Sequence, residues 1–221
     1  MLKKLTIVCG HYGCGKTNFA LNLAADAKKT GQPVTLVDLD IVNPYFRSGD
    51  YREFLERNGI TVITPWSAGT TLDSPSLTAQ MFSVFDREGY VIFDVGGDDV
   101  GASVLGRFSK LFESQPEYSM LFVINKYRHL IAAPEDAAQL LAEVEAASKL
   151  RATGLINNSH LCTQTVAEDI LASVDYALGV AEKTGLALLA TTAPKSLADE
   201  LNGKIENLYP VDVIVKLLWN T

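Results

Sequence analysis

The stretch Gly10-His11-Tyr12-Gly13-Cys14-Gly15-Lys16-Thr17, followed by Asn18, has the spacing G-x-x-x-x-G-K-[ST]. Glycines let a backbone fold so tightly that its N–H groups point inward around phosphate oxygens, and a helix starting at the end of the loop adds its positive end. In such a loop Lys16 reaches the β- and γ-phosphates of a nucleoside triphosphate, and Thr17 gives its hydroxyl to Mg²⁺. All the residues from Gly10 to Asn18 are therefore candidate nucleotide contacts. A glycine-rich turn with an incidental Lys-Thr is the plainer alternative. The flanks argue against it, because the apolar run Leu5-Thr6-Ile7-Val8-Cys9 reads as a strand and the residues after Lys16 read as a helix.

Carboxylates follow two other apolar runs. "LVDLDIVNPYFRSGD" places Asp38 and Asp40 at the end of one, and "YVIFDVGGDD" places Asp94 at the end of another, with Gly96-Gly97 behind it. At a phosphate site one such carboxylate orients the attacking water while others hold the water shell of Mg²⁺. Gly97 would let the backbone approach the γ-phosphate. Strand-end Asp residues also satisfy loop N–H groups, so this pattern alone leaves a structural role open.

The elements that must position these residues read as an alternation of short β-branched runs and helix-period segments, the pattern of an α/β fold: a doubly wound, mostly parallel sheet with helices on both faces. Seven strands are expected, at 4–9, 34–38, 61–64, 90–95, 120–125, 153–157 and 186–190, with ligand at their C-terminal ends. Helices are expected over 16–29, 48–57, 76–85 and 102–113, and again from Pro134, where Glu135 and Asp136 suit a first turn. Val166, Ile170, Val174 and Leu178 recur every four residues and predict one buried face. The segment 211–219 is apolar almost all round. With 221 residues and a 48% apolar share, one domain over 1–221 is the expectation.

A balance of 19 basic against 26 acidic residues gives a net charge of −7, which offers no general reason to coat nucleic acid or an anionic membrane. No apolar run approaches the ~18 residues of a membrane span, and none has the shape of a signal peptide. The three cysteines, Cys9, Cys14 and Cys162, form no CxxC pair and suit a reducing cytoplasm. Cys14 lies inside the loop, where Lys16 and the helix N-terminus would lower its pKa if it were a reactive or metal-binding thiol; a small side chain that merely fits is the alternative.

Glycine loop, Asp-x-Asp after the second strand and Asp-x-x-Gly near the middle occur in the same order, across most of the chain, as in the MinD/ParA branch of P-loop NTPases, which the sequence resembles. That branch belongs to the SIMIBI class, with the CobQ-type synthases. The resemblance implies ATP and Mg²⁺, with Asp40 orienting water, Asp38 and Asp94 serving Mg²⁺ and Gly97 contacting the γ-phosphate. It implies a purine contact from Asn157, with Asn158 beside it, and a pocket closed by backbone around Ala193 and Pro194. An Asn amide can donate to and accept from a purine edge, although either Asn could be a turn residue. "VINKYR" has Arg128 where a guanine-reading carboxylate would stand, which favours ATP over GTP.

The sequence departs from that branch at one charge. The family loop places a lysine, which reaches across a dimer to the partner's phosphates, where this chain has His11. Histidine near its reference pKa of ~6.5 is mostly neutral at pH 7. Arg47, Lys126 or Arg128 are the cations available to replace it. Tyr45, Phe46 and Trp66 are large loop residues at the ligand end, readable as anchors or as a client or substrate surface. Three functions follow: an ATPase whose nucleotide state controls homodimerisation or a protein client; an ATP-dependent synthetase activating a small carboxylate; and a nucleotide-binding module with negligible turnover. Neither nucleic acid nor membrane is an expected partner.

Overall fold

A computed structural model describes residues 1–40, 51–64, 79–97, 99–161 and 164–215. Every residue of β1 (Leu5–Gly10), β2 (Val34–Leu39) and β5 (Ser119–Ile124) is buried. That is what strands covered on both faces require, and it explains their near-continuous apolar reading. The remaining strands are β3 (Thr61–Ile63), β4 (Tyr90–Val95), β6 (Gly154–Asn157), β7 (Leu188–Pro194) and β8 (Leu208–Val211). They form one eight-stranded sheet in the order β3-β2-β4-β1-β5-β6-β7-β8, with every pair parallel.

The eighth strand exceeds the seven expected. β8 contains Pro210, which disguises it in the sequence; an edge strand tolerates a missing N–H, and β8 ends the sheet.

The helices are α1 (Lys16–Lys28), α2 (Arg52–Arg57), α3 (Ala79–Phe82), α4 (Asp99–Gly106), α5 (Ser109–Glu113), α6 (Pro134–Ser148), α7 (Ala167–Ala172), α8 (Val174–Thr184) and α9 (Ala198–Leu201). α3 runs into a 3₁₀ turn at Ser83–Asp86. α6 starts as expected, with Pro134 in its first turn followed by Glu135 and Asp136. The single helix expected over 102–113 is instead α4 and α5. Gly106 ends the first where it meets α6 so closely that a Cβ would lie 2.7 Å from Ala147 O. The four-residue series also fails: Ile170 is buried, but Val166 and Leu178 are each 52% exposed. The chain breaks at Ser173, whose hydroxyl bonds back to Ile170 O at 2.7 Å, and α8 restarts with Tyr176, Ala177 and Val180 buried.

From β1 the chain runs to β2 and β3, returns through β4 to the near side of β1, and then lays β5 to β8 on the far side. Connections leaving the central strands therefore diverge, opening a crevice at their carboxyl ends. Among the described residues no helix is long and apolar enough to cross a membrane.

Candidate functional site

The glycine loop opens directly off β1 at that crevice. Gly15 caps α1 with φ 89° in the left-handed region, and a Cβ there would lie 2.2 Å from Asn158 Nδ2. No side chain fits, so glycine is demanded twice over. Lys16 is buried, and its Nζ donates to His11 O at 3.0 Å. Its ammonium thus rests on the loop's own carbonyl, within the arc that would enclose phosphates. Thr17 is half-buried in the first turn of α1. His11 Nδ1 donates to Tyr12 O at 2.7 Å, and the Tyr12 side chain is exposed.

On the β4 side of β1 the carboxylates gather. Asp38 and Asp94 are partners in the β2–β4 register, and both are buried. Asp40, also buried, donates its backbone N–H to Asp38 Oδ1 at 2.9 Å. A Cβ on Gly96 would lie 3.2 Å from Asp40 Oδ1, and one on Gly97 would lie 2.5 Å from Tyr12 N and 2.6 Å from Lys16 Nζ. Strand pairing therefore brings Asp38, Asp40, Asp94, Gly97 and Lys16 to one place from three separate stretches of sequence.

Mg²⁺ takes oxygen ligands, keeps several waters and is commonly held by one or two carboxylates plus phosphate oxygens. The buried carboxylates at the ends of β2 and β4 are oxygen groups of that kind. Among the described residues no three His, Cys, Asp or Glu side chains form a metal cage by themselves.

On the β5–β6 side the loop meets amides. Asn158 Nδ2 donates to Cys14 O at 2.7 Å, which fixes the amide's orientation, and its Oδ1 accepts from Thr192 Oγ1 and from His160 Nε2 at 3.0 Å. Burial, helped by the Arg128 charge, lowers the His160 pKa to about 4. Asn157 faces elsewhere: its Nδ2 donates to Ser173 Oγ at 2.9 Å, and its Oδ1 accepts from Ser159 Oγ at 2.6 Å. Asn18 is occupied by the segment after β8, donating to Asp212 O at 3.0 Å and accepting from Ile214 N at 2.8 Å. Pro194 closes β7 and is buried.

Cys14 does not have the environment of a reactive thiol. Burial raises its pKa, outweighing Lys16, which pulls it down. Cys9 is likewise pushed up to about 12 by burial. Beside the loop, on the side of α4 and α6, lies a cavity of about 430 Å³ whose lining includes His11, Tyr12, Gly97, Val100, Leu140 and Val144. Tyr45, Phe46, Arg47, Trp66 and Cys162 lie outside the described residues. His160 and Thr192 were not visible as site residues in the sequence. Their link to the loop runs through Asn158, which stands 144 positions from Cys14, and no local spacing signals such a contact.

Compared with known proteins, the chain matches no family model and no curated protein. Solved structures do match. The chain is similar to the cell division protein FtsY of Thermotoga maritima, at 20% identity and a TM-score of 0.61, over 87% of this chain and 62% of that one. It is similar to the signal recognition particle receptor FtsY of Elizabethkingia anophelis in complex with GDP, at 18% identity and 0.54, over 87% and 57%. The BceF tyrosine kinase domain aligns at 19% identity and 0.50, over 70% and 68%. This chain thus spans about six tenths of those FtsY chains. At such identities the likeness is one of fold alone: an α/β fold with one parallel sheet and helices around it.

Proposed function

We propose that the chain binds a nucleoside triphosphate with Mg²⁺ at the glycine loop and hydrolyses it, the nucleotide state controlling association with a second copy or a client in the manner of the MinD/ParA branch. The observation that carries this reading is the convergence of Lys16, Asp38, Asp40, Asp94 and Gly97 where β1, β2 and β4 end. Lys16 would leave His11 O for the β- and γ-phosphates, and Thr17, Asp38 and Asp94 would hold Mg²⁺ and its waters. Asp40 would orient the water that attacks the γ-phosphorus. The bond to the bridging oxygen then breaks, the diphosphate departs with that electron pair, and phosphate leaves with the water's oxygen.

ATP is the nucleotide of this reading, on the strength of Arg128 standing where a guanine-reading carboxylate would be. The purine contact assigned to Asn157 or Asn158 would require either amide to exchange bonds it makes within the protein. GTP is the competitor to test, since one similar structure holds GDP. With His11 in the lysine position, trans activation from that place is unavailable. Slow turnover is the expectation.

Lys16→Ala should lower Mg-ATP affinity at least about 100-fold, since a charge-assisted phosphate contact is lost from a buried position. Titration of both proteins with ATP and GTP reads this directly. Wild-type protein that binds neither nucleotide at micromolar concentration ends the proposal. Tight binding without phosphate release over hours would instead mark a nucleotide-binding module.

One observation favours a second reading, an ATP-dependent synthetase activating a small carboxylate. The cavity beside His11 and Gly97 adjoins the proposed γ-phosphate position and is lined largely by apolar residues. Phosphate release that requires an added small acid would select it.

A further inference from the structure

Arg128 follows β5 in a turn closed by its N–H on Asn125 O at 3.1 Å. Its guanidinium lies over the glycine loop: a Cβ built on Gly13 would sit 3.5 Å from Arg128 Nε, 3.6 Å from Cζ and 3.8 Å from Nη1. Nε is buried and has no hydrogen-bond partner, and among the described residues no carboxylate pairs with this guanidinium. Its charge is felt at Cys14 in the loop and at His160 behind it.

A guanidinium stays charged at any physiological pH and presents five donors in a rigid fork. A buried donor of that kind with nothing to donate to is costly unless a ligand supplies the acceptor. The loop beside it is built to gather phosphate oxygens.

The sheet order separates the two sides of the loop. β4 and β5 flank β1 on opposite sides. The carboxylates, Gly97 and the Lys16 ammonium belong to the β4 side, and a Cβ on Gly97 meets Tyr12 and Lys16. The three atoms nearest a Cβ on Gly13 all belong to Arg128. Resting on the proposed nucleotide site, we infer that Arg128 binds the α- and β-phosphates from the Gly13 side, away from the γ-phosphate. It is then a cation for the part of the ligand shared by substrate and product, and it does not replace the lysine missing at His11. It favours retention of the diphosphate after hydrolysis.

Calorimetric titration of wild type, Arg128→Gln and Arg128→Lys with Mg-ADP and with a non-hydrolysable Mg-ATP analogue tests this, with thermal unfolding of each as the folding control. Arg128→Gln should weaken both nucleotides by the same factor, roughly 10- to 100-fold. Arg128→Lys, which keeps the charge without the planar fork, should recover only part of it. Unchanged affinity, or a loss confined to the triphosphate, overturns the assignment. If Arg128→Gln does not fold, Arg128→Lys decides by the same criterion: equal loss for both nucleotides supports the inference, and wild-type affinity overturns it. Wild type that binds neither nucleotide sinks the nucleotide reading itself, whereas wild type that binds while the variants match it sinks only the role of Arg128.

Discussion

On the β4 side of the glycine loop, Asp38, Asp40 and Asp94 are carboxylates delivered by the ends of adjacent parallel strands, with Gly96 and Gly97 keeping the space between them and Lys16 clear. On the β5–β6 side, Asn158 bonds Cys14 O, Thr192 and His160 in a closed set of neutral groups. The first flank gathers three buried carboxylates near the Lys16 ammonium, oxygen groups of the kind that Mg²⁺ takes as ligands. In the second, the Asn158 amide is bonded at both ends within the protein and ties down the loop's backbone at Cys14, while Arg128 Nε beside Gly13 has no partner. A loop held in place by one flank can be loaded by the other with little reorganisation, which is the condition for electrostatic preorganisation.

If the division is right, the amide flank should dominate the stability of the nucleotide-free protein. Asn158→Leu removes the donor to Cys14 O and the acceptor for His160 Nε2, all in buried surroundings. Each orphaned group costs roughly 1–3 kcal/mol, so a loss of about 4 kcal/mol in urea unfolding is expected. A cost below about 1 kcal/mol, the range of ordinary surface substitutions, would show that the amides do not brace the loop.

The pH dependence of stability sharpens the same point. His160 is buried and titrates near 4 in the folded chain against 6.5 when unfolded. Between those values the unfolded state binds the extra proton. The contribution is therefore fully present above pH 6.5 and is lost as pH falls towards 4. At about 1.4 kcal/mol per pH unit, roughly 3 kcal/mol separates the two limits. Unfolding curves of wild type and His160→Gln from pH 7.5 to 4.5 should show the wild type losing more on acidification, the variant lacking this one term. Parallel losses would mean that the imidazole is already charged in the fold.

The two flanks also differ in what could be read beforehand. Each member of the acidic flank sits within two residues of a strand end, so its placement followed from the local pattern of an apolar run, an Asp and a glycine. The fold followed from the same runs, apart from β8, where Pro210 breaks the pattern, α4–α5, where Gly106 splits an expected single helix, and α7–α8, where Ser173 resets the helical phase. The amide flank joins Cys14 to Asn158 across 144 positions and to Thr192 beyond that. Its members look like ordinary loop and strand residues, and only the order of the parallel strands brings them together. Asn157 and Asn158 illustrate the limit: neighbours in sequence and equally polar, they turn to opposite tasks because successive residues at the end of β6 face opposite sides.

The smallest expected stability effect comes from the acidic flank and tests the comparison from its other side. Asp94 and Asp38 are register partners on strands ~4.8 Å apart, and both are buried. Asp94→Asn preserves size and an acceptor oxygen while removing one charge. In the nucleotide-free protein its unfolding free energy should stay within about 1 kcal/mol of wild type, since the amide keeps the size and one acceptor oxygen. Mg-ATP binding should nevertheless weaken at least about tenfold, because a site that gives up a carboxylate loses charge where Mg²⁺ needs it. A residue kept for its ligand shows this separation of stability from binding, whereas one kept for the fold loses both together. If Asp94→Asn instead cost as much stability as Asn158→Leu, the carboxylates would be part of the scaffold, and the loop would be braced equally from both sides.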